Sequence, residues 1–134
     1  MLIADDHPIF RSGLAYEIGR REGLELVGQA ADGLEALALA RELAPDVVVL
    51  DVRMPRLDGV RAIEALAAAG VRSRVLVLSA FRDRQAVHEA VRAGAKGYLH
   101  KDADREDVCD AIEAIAAGQT VIDEPLRKAL VAER

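Results

Sequence analysis

Five short apolar runs of strand character alternate with segments of helical spacing, and this alternation restricts the chain more than any other feature of its sequence. Parallel strands need a crossover between them, and a helix usually supplies it, so the pattern predicts an α/β protein on a parallel sheet. The runs are Leu2-Ile3-Ala4, Leu24-Glu25-Leu26-Val27, Val47-Val48-Val49-Leu50, Val75-Leu76-Val77-Leu78 and Gly97-Tyr98-Leu99. The third and fourth are continuously apolar, as strands covered on both faces must be, whereas the second is half-polar and belongs towards an edge.

Between them the helices announce themselves by their ends and stripes. Pro8 suits a first helical position, and Phe10, Leu14 and Ile18 form one stripe before Gly19 and Gly23 close the helix. Asp32 caps a second helix carrying Leu34, Leu37 and Ala38, which Pro45 stops. A third follows Asp58-Gly59 with Val60, Ile63 and Leu66, and a fourth, capped by Asp83, carries Val87, Ala90 and Val91 to Gly94. The fifth begins near Asp104, buries Val108, Ile112 and Ile115, and ends at Gly118. Residues 1–118 therefore read as one domain and 119–134 as a linker, with a short helix from Pro125 through Leu126 and Leu130. In the Ala-rich helices the polar and apolar faces are blurred.

A chain of 134 residues with 51% hydrophobic content supports one domain with a sizeable core. Its 18 basic and 23 acidic side chains leave a net charge of −5, which disfavours DNA binding by this chain alone. No apolar run approaches a membrane span and the N-terminal residues lack a signal-peptide pattern, so a cytoplasmic location and no membrane partner are expected. Cys109, the sole cysteine, excludes an internal disulfide and reads as a packed thiol.

In open parallel sheets ligands bind beyond the carboxyl ends of the strands. Those ends carry Asp5 and Asp6, Asp51, Ser79 and Lys101. Three carboxylates on one rim repel one another unless cations compensate them, and Mg²⁺ together with Lys101 is the natural complement. The donors are oxygens, with no His or Cys cluster to favour zinc, so a transition-metal site is not expected. A carboxylate can attack phosphorus to give an acyl phosphate when a metal and a lysine offset the charge, and Asp51 has that company. Asp58 reads as a turn and cap, and His7, His88 and His100 lack the partners that general-base chemistry needs.

Taken together, Asp5-Asp6-His7-Pro8, Val49-Leu50-Asp51-Val52-Arg53-Met54-Pro55 through Asp58-Gly59, Ser79-Ala80, and Gly97-Tyr98-Leu99 with Lys101 resemble a response-regulator receiver domain of the CheY-like superfamily, over roughly residues 1–118. The resemblance implies a doubly wound (βα)5 flavodoxin-like fold whose five-stranded parallel sheet has the order 2-1-3-4-5, followed by the short linker helix. It implies phosphorylation of Asp51 by a sensor histidine kinase, with Mg²⁺ held by Asp6, Asp51 and the backbone carbonyl of Arg53, and by Asp5 through water. Lys101 and Ser79 would contact the phosphoryl oxygens, and Tyr98 would be the aromatic switch that responds to Ser79.

The Asp-Asp-His-Pro start, the Gly-Tyr-Leu-His-Lys ending and Thr120-Val121-Ile122-Asp123 are similar to NarL/LuxR-type transcription factors, which carry a C-terminal helix-turn-helix domain. That likeness implies homodimerisation on phosphorylation and DNA binding only through the C-terminal domain, with this chain a receiver excised from a longer regulator or a stand-alone one. Asp102 follows Lys101 where many receivers have proline, so the resemblance does not carry a cis peptide here.

Three other functions fit these residues less well. An aspartyl phosphatase needs a proton donor two residues after the nucleophile, where Arg53 stands. A flavin or nucleotide module lacks a P-loop or Gly-rich turn after the first strand. A phosphorylation-independent interaction module would not need the full set of Asp6, Asp51, Ser79 and Lys101. The expectation is a signalling domain rather than an enzyme, beyond self-phosphorylation and autodephosphorylation.

Overall fold

A computed structural model describes residues 1–54, 56–79, 84–123 and 127–128. Its elements are β1 (Leu2–Ala4), α1 (Pro8–Gly19), β2 (Gly28–Ala30), α2 (Gly33–Leu43), β3 (Val47–Asp51), α3 (Gly59–Ala68), β4 (Arg74–Ser79), α4 (Arg84–Ala93), β5 (Gly97–His100), α5 (Arg105–Ala116) and β6 (Val121–Ile122). The strands form one parallel sheet in the order β2-β1-β3-β4-β5-β6. The expected order 2-1-3-4-5 is present, with a short sixth strand added beside β5 within the stretch read as linker.

Strand alternation distributes the core. Val48 and Leu50 of β3 face a cluster with Ala36, Ala40, Ala62, Ile63, Leu66, Val87 and Ala90 from α2, α3 and α4. Val47 and Val49 face the opposite cluster, where Leu14 and Ile18 of α1 meet Val108, Ile112 and Ile115 of α5. Both faces of β3 are thus covered, which is why its run is apolar throughout.

Two local readings are corrected. The second strand is Gly28–Ala30, not Leu24–Val27. The chain reaches β1 through Val27 N–H bonded to the Met1 carbonyl at 2.8 Å, and ladder pairing starts only at Leu2 with Gly28. Leu24 and Leu26 instead pack against the α1/α5 cluster. The buried face of α2 is Gly33, Ala36 and Ala40, whereas Leu34 and Ala38 point outwards. Alanine serves on either face, so helical spacing alone could not phase this helix. Asp83 and the segment Pro125, Leu126 and Leu130 lie outside the described residues.

The helix starts explain how the loops at the carboxyl rim are held. Pro8 opens α1, Asp32 caps α2 by accepting from Glu35 N–H at 2.8 Å, and Asp58 caps α3 by accepting from Arg61 N–H at 2.9 Å. Asp58 is therefore a cap, as its position before Gly59 suggests. A Cβ on Gly59 would stand 2.8 Å from the Asp51 carbonyl oxygen and 2.9 Å from Val52 Cα, so only glycine lets α3 start this close to the end of β3.

Candidate phosphoacceptor and metal site

β1, β3 and β5 deliver their terminal residues to one pocket because they are brought into register by their neighbours. Leu50 pairs with Ala4, Asp51 with Leu78, and Ser79 with His100. Asp51, the last residue of β3, is 5% exposed, and Asp5, just past β1, is 1% exposed. Lys101, just past β5, is held by its N–H bonded to the Ser79 carbonyl at 2.8 Å.

The Lys101 ammonium lies 2.8 Å from Asp51 Oδ2 and 3.1 Å from Asp5 Oδ2. The other Asp51 oxygen accepts from Arg53 N–H at 3.2 Å. Asp5 Oδ1 accepts from His7 N–H at 2.8 Å, and the Asp5 carbonyl accepts from the Arg11 guanidinium at 2.6 Å. The Phe10 ring lies beneath the ammonium, with 4.9 Å between Nζ and the ring centroid.

Charge bookkeeping explains the electrostatics of this arrangement. Burial pushes the Asp51 carboxyl above its ordinary range, and repulsion from Asp5 adds to this against the pull of Lys101 and the Arg53 N–H. Burial works against the Lys101 charge, yet its hydrogen bonds and attraction to Asp51 and Asp5 raise it above the ordinary lysine value. The directions agree: two carboxylates share one ammonium, so the cation is over-supplied with partners and the anions under-supplied. Asp6 adds a third carboxylate, more exposed, at the mouth.

Potential ligand atoms of Asp5, Asp6, His7 and Asp51 all lie within 4.8 Å of one another. An acid-rich donor set, buried at Asp5 and Asp51 and open at Asp6, with too little positive charge fits a hard divalent cation such as Mg²⁺.

Each sequence-predicted residue can now be located. Asp5, Asp6, Asp51 and Lys101 converge. Ser79 is buried at the end of β4, beside β5 in the ladder, and the Arg53 backbone adjoins Asp51. Tyr98 is fully buried in the middle of β5, within the cluster that includes Val77, Val87 and Ala90. Sequence reasoning sets His7 aside for lack of partners, whereas its Nδ1 stands 3.1 Å from Asp5 Oδ1, 3.2 Å from Asp6 Oδ1 and 3.0 Å from Lys101 Nζ. It does not single out Arg11, and it reads Phe10 only as part of the α1 stripe, not as a neighbour of Lys101. The signal for His7 was its place directly after the Asp pair; a helix beginning at Pro8 leaves that side chain at the rim. His100 belongs elsewhere: its Nδ1 accepts from Asp102 N–H at 3.1 Å.

Comparison with known proteins gives a consistent picture. The family model described as the response regulator receiver domain matches residues 1–113. An uncharacterized transcriptional regulatory protein, YxjL, of Bacillus subtilis (strain 168) is 39% identical over 119 residues, covering 89% of this chain and 55% of that protein. The nitrate/nitrite response regulator protein NarL of Escherichia coli (strain K12) is 35% identical over 132 residues, covering 98% of this chain and 61% of that protein. The chain thus spans little more than half the length of these curated relatives. A solved LuxR-family two-component response regulator from Aurantimonas sp. SI85-9A1 superposes with a TM-score of 0.91 at 35% identity, covering 99% of this chain and 95% of that one.

Proposed function

The chain belongs to the response regulator receiver domain family, and from that membership we propose that Asp51 is the phosphoacceptor of a NarL/LuxR-type two-component regulator. The observation that carries the proposal is the Lys101 ammonium 2.8 Å from Asp51 Oδ2 at the carboxyl end of the central strand, with Asp5 and Asp6 beside it. In the proposed step an Asp51 oxygen bonds to phosphorus as the phosphorus–nitrogen bond of a sensor kinase phosphohistidine breaks. The electron pair returns to the imidazole nitrogen, which takes up a proton.

Asp6, Asp51 and the Arg53 carbonyl would hold Mg²⁺, with Asp5 acting through water. The bound ion would supply charge neutralisation on the transferring oxygens. Lys101 would exchange its contact with Asp51 Oδ2 for a phosphoryl oxygen. Ser79 would donate its hydroxyl to another, and Tyr98 would follow into the space that Ser79 leaves, altering the surface of α4 and β5. Such a domain is a switch rather than a metabolic enzyme; its chemistry is limited to its own phosphorylation and dephosphorylation.

On this reading residues 1–118 form the receiver and 119–134 lead towards a C-terminal DNA-binding domain, the phosphorylated protein is a homodimer, and the system works in the cytoplasm. What supports it is that the curated relatives, named as transcriptional and response regulators, are longer than this chain. Among the described residues no helix is long and apolar enough to cross a membrane. The test is intact-mass measurement after incubation with Mg²⁺ and acetyl phosphate. One Mg²⁺-dependent phosphoryl addition, lost in Asp51→Asn, supports the reading; addition that survives in Asp51→Asn overturns it.

A further inference from the structure

The acidic pocket contains a nitrogen donor as well as oxygens: His7 Nδ1 lies within 4.8 Å of ligand oxygens of Asp5, Asp6 and Asp51. His7 Nδ1 is 3.0 Å from the Lys101 ammonium. It is also 3.1 Å from Asp5 Oδ1 and 3.2 Å from Asp6 Oδ1. Asp51 Oδ2 lies 3.9 Å away. Nδ1 and the three carboxylates thus surround one point from which a dication would reach nitrogen and oxygen donors together.

The ring is held over the pocket by its contacts with Asp5, Asp6 and Lys101. His7 stands at the N-cap position of α1, yet its side chain makes no capping hydrogen bond. Its backbone N–H is bonded to Asp5 Oδ1 at 2.8 Å, which orients the residue over the pocket, and 64% of its side chain remains accessible. Solvent can therefore reach the ring, and an ion can enter past it.

We propose that His7 Nδ1 is a metal ligand and that it makes this pocket a mixed nitrogen–oxygen site for first-row transition-metal dications such as Co²⁺, Ni²⁺ and Zn²⁺. The inference rests on the reading of the pocket as a divalent-cation site and adds a selectivity to it. Magnesium prefers oxygen and retained water, and gains little from an imidazole. Cobalt, nickel and zinc are suited by imidazole and bind any given nitrogen–oxygen set more strongly in the Irving–Williams order. The carboxylates alone would make a magnesium-type pocket; the imidazole tilts it towards the softer ions, which would then compete with Mg²⁺ for Asp6 and Asp51.

The experiment compares wild type, His7→Ala and His7→Asn, each stripped with a chelator and titrated calorimetrically with CoCl₂ and with MgCl₂. Circular dichroism checks the fold of each variant, and imidazole NMR signals are followed during a ZnCl₂ titration. The expected result is tighter binding of Co²⁺ than Mg²⁺ by wild type, a ratio of affinities that falls about tenfold or more in both variants, and a Zn²⁺-induced shift of the His7 ring signals. An unchanged ratio with unmoved His7 signals overturns the inference and leaves the Mg²⁺ reading standing. Failure of wild type to bind either ion overturns both.

Discussion

Without divalent cations, Asp51→Asn is expected to stabilise the protein. The carboxylates of Asp5 and Asp51 are 2% and 6% exposed and share one ammonium at 3.1 and 2.8 Å. Asparagine keeps the shape, removes one buried charge and leaves Asp5 and Lys101 as a balanced pair. The substitution gives up one acceptor, towards the Arg53 N–H at 3.2 Å or towards Lys101, a loss of about 1 kcal/mol. Against this, the desolvation of a carboxylate sharing its counter-ion costs several kcal/mol before the shared attraction is counted. The net gain is on the order of 1 kcal/mol, or roughly 3–5 °C in Tm for a domain of this size.

The assay is urea and thermal unfolding by far-ultraviolet circular dichroism, in EDTA and then in Mg²⁺. A raised folded-state value for Asp51 means that its protonated form contributes stability fully present below the ordinary 3.8 and lost as pH rises through the higher folded value. The advantage of Asp51→Asn should therefore grow with pH from the acid side and level off towards neutrality. Magnesium at ten times its Kd should add about 1.4 kcal/mol to wild type and less to the variant. A variant less stable than wild type in EDTA at neutral pH would refute the charge-excess argument.

Three further outcomes follow from the packing. Gly33→Ala drives a Cβ into the Leu57 carbonyl, so urea unfolding should show a loss of about 2 kcal/mol. Asp32→Ala removes both the α2 cap to Glu35 N–H at 2.8 Å and the ion pair with Arg56 at 3.1 Å, and should cost about 1 kcal/mol in the same measurement. Burial pushes the Cys109 thiol up, so a thiol-reactive dye should label it slowly in the native protein and stoichiometrically in urea.

Much of this molecule is legible in its sequence because local physics writes it there. Val47 to Leu50 can only be a strand covered on both faces, and Asp51 must then stand at its carboxyl rim. Pro8, Asp32 and Asp58 mark helix starts by their own backbone and side-chain chemistry. The alternation of such elements leaves few folds, and it carries Asp5, Asp51 and Lys101 to strand ends on one side of a parallel sheet.

Where the chain's local preferences are weak, the tertiary structure decides. Gly28-Gln29-Ala30 has little strand propensity and becomes β2 because β1 offers its ladder there, while the more strand-like Leu24 and Leu26 are drawn to the helical side. Val121 and Ile122 form β6 because the open edge of β5 supplies partners. The α2 face was ambiguous because alanine costs nothing on either side. The inward turn of His7 depends on distances between β1, β3 and the segment after β5 that no local pattern contains. Propensity, capping and periodicity act over a few residues and can be read along the chain; the meeting of Asp5, His7, Asp51 and Lys101 spans the sheet and exists only once it has closed.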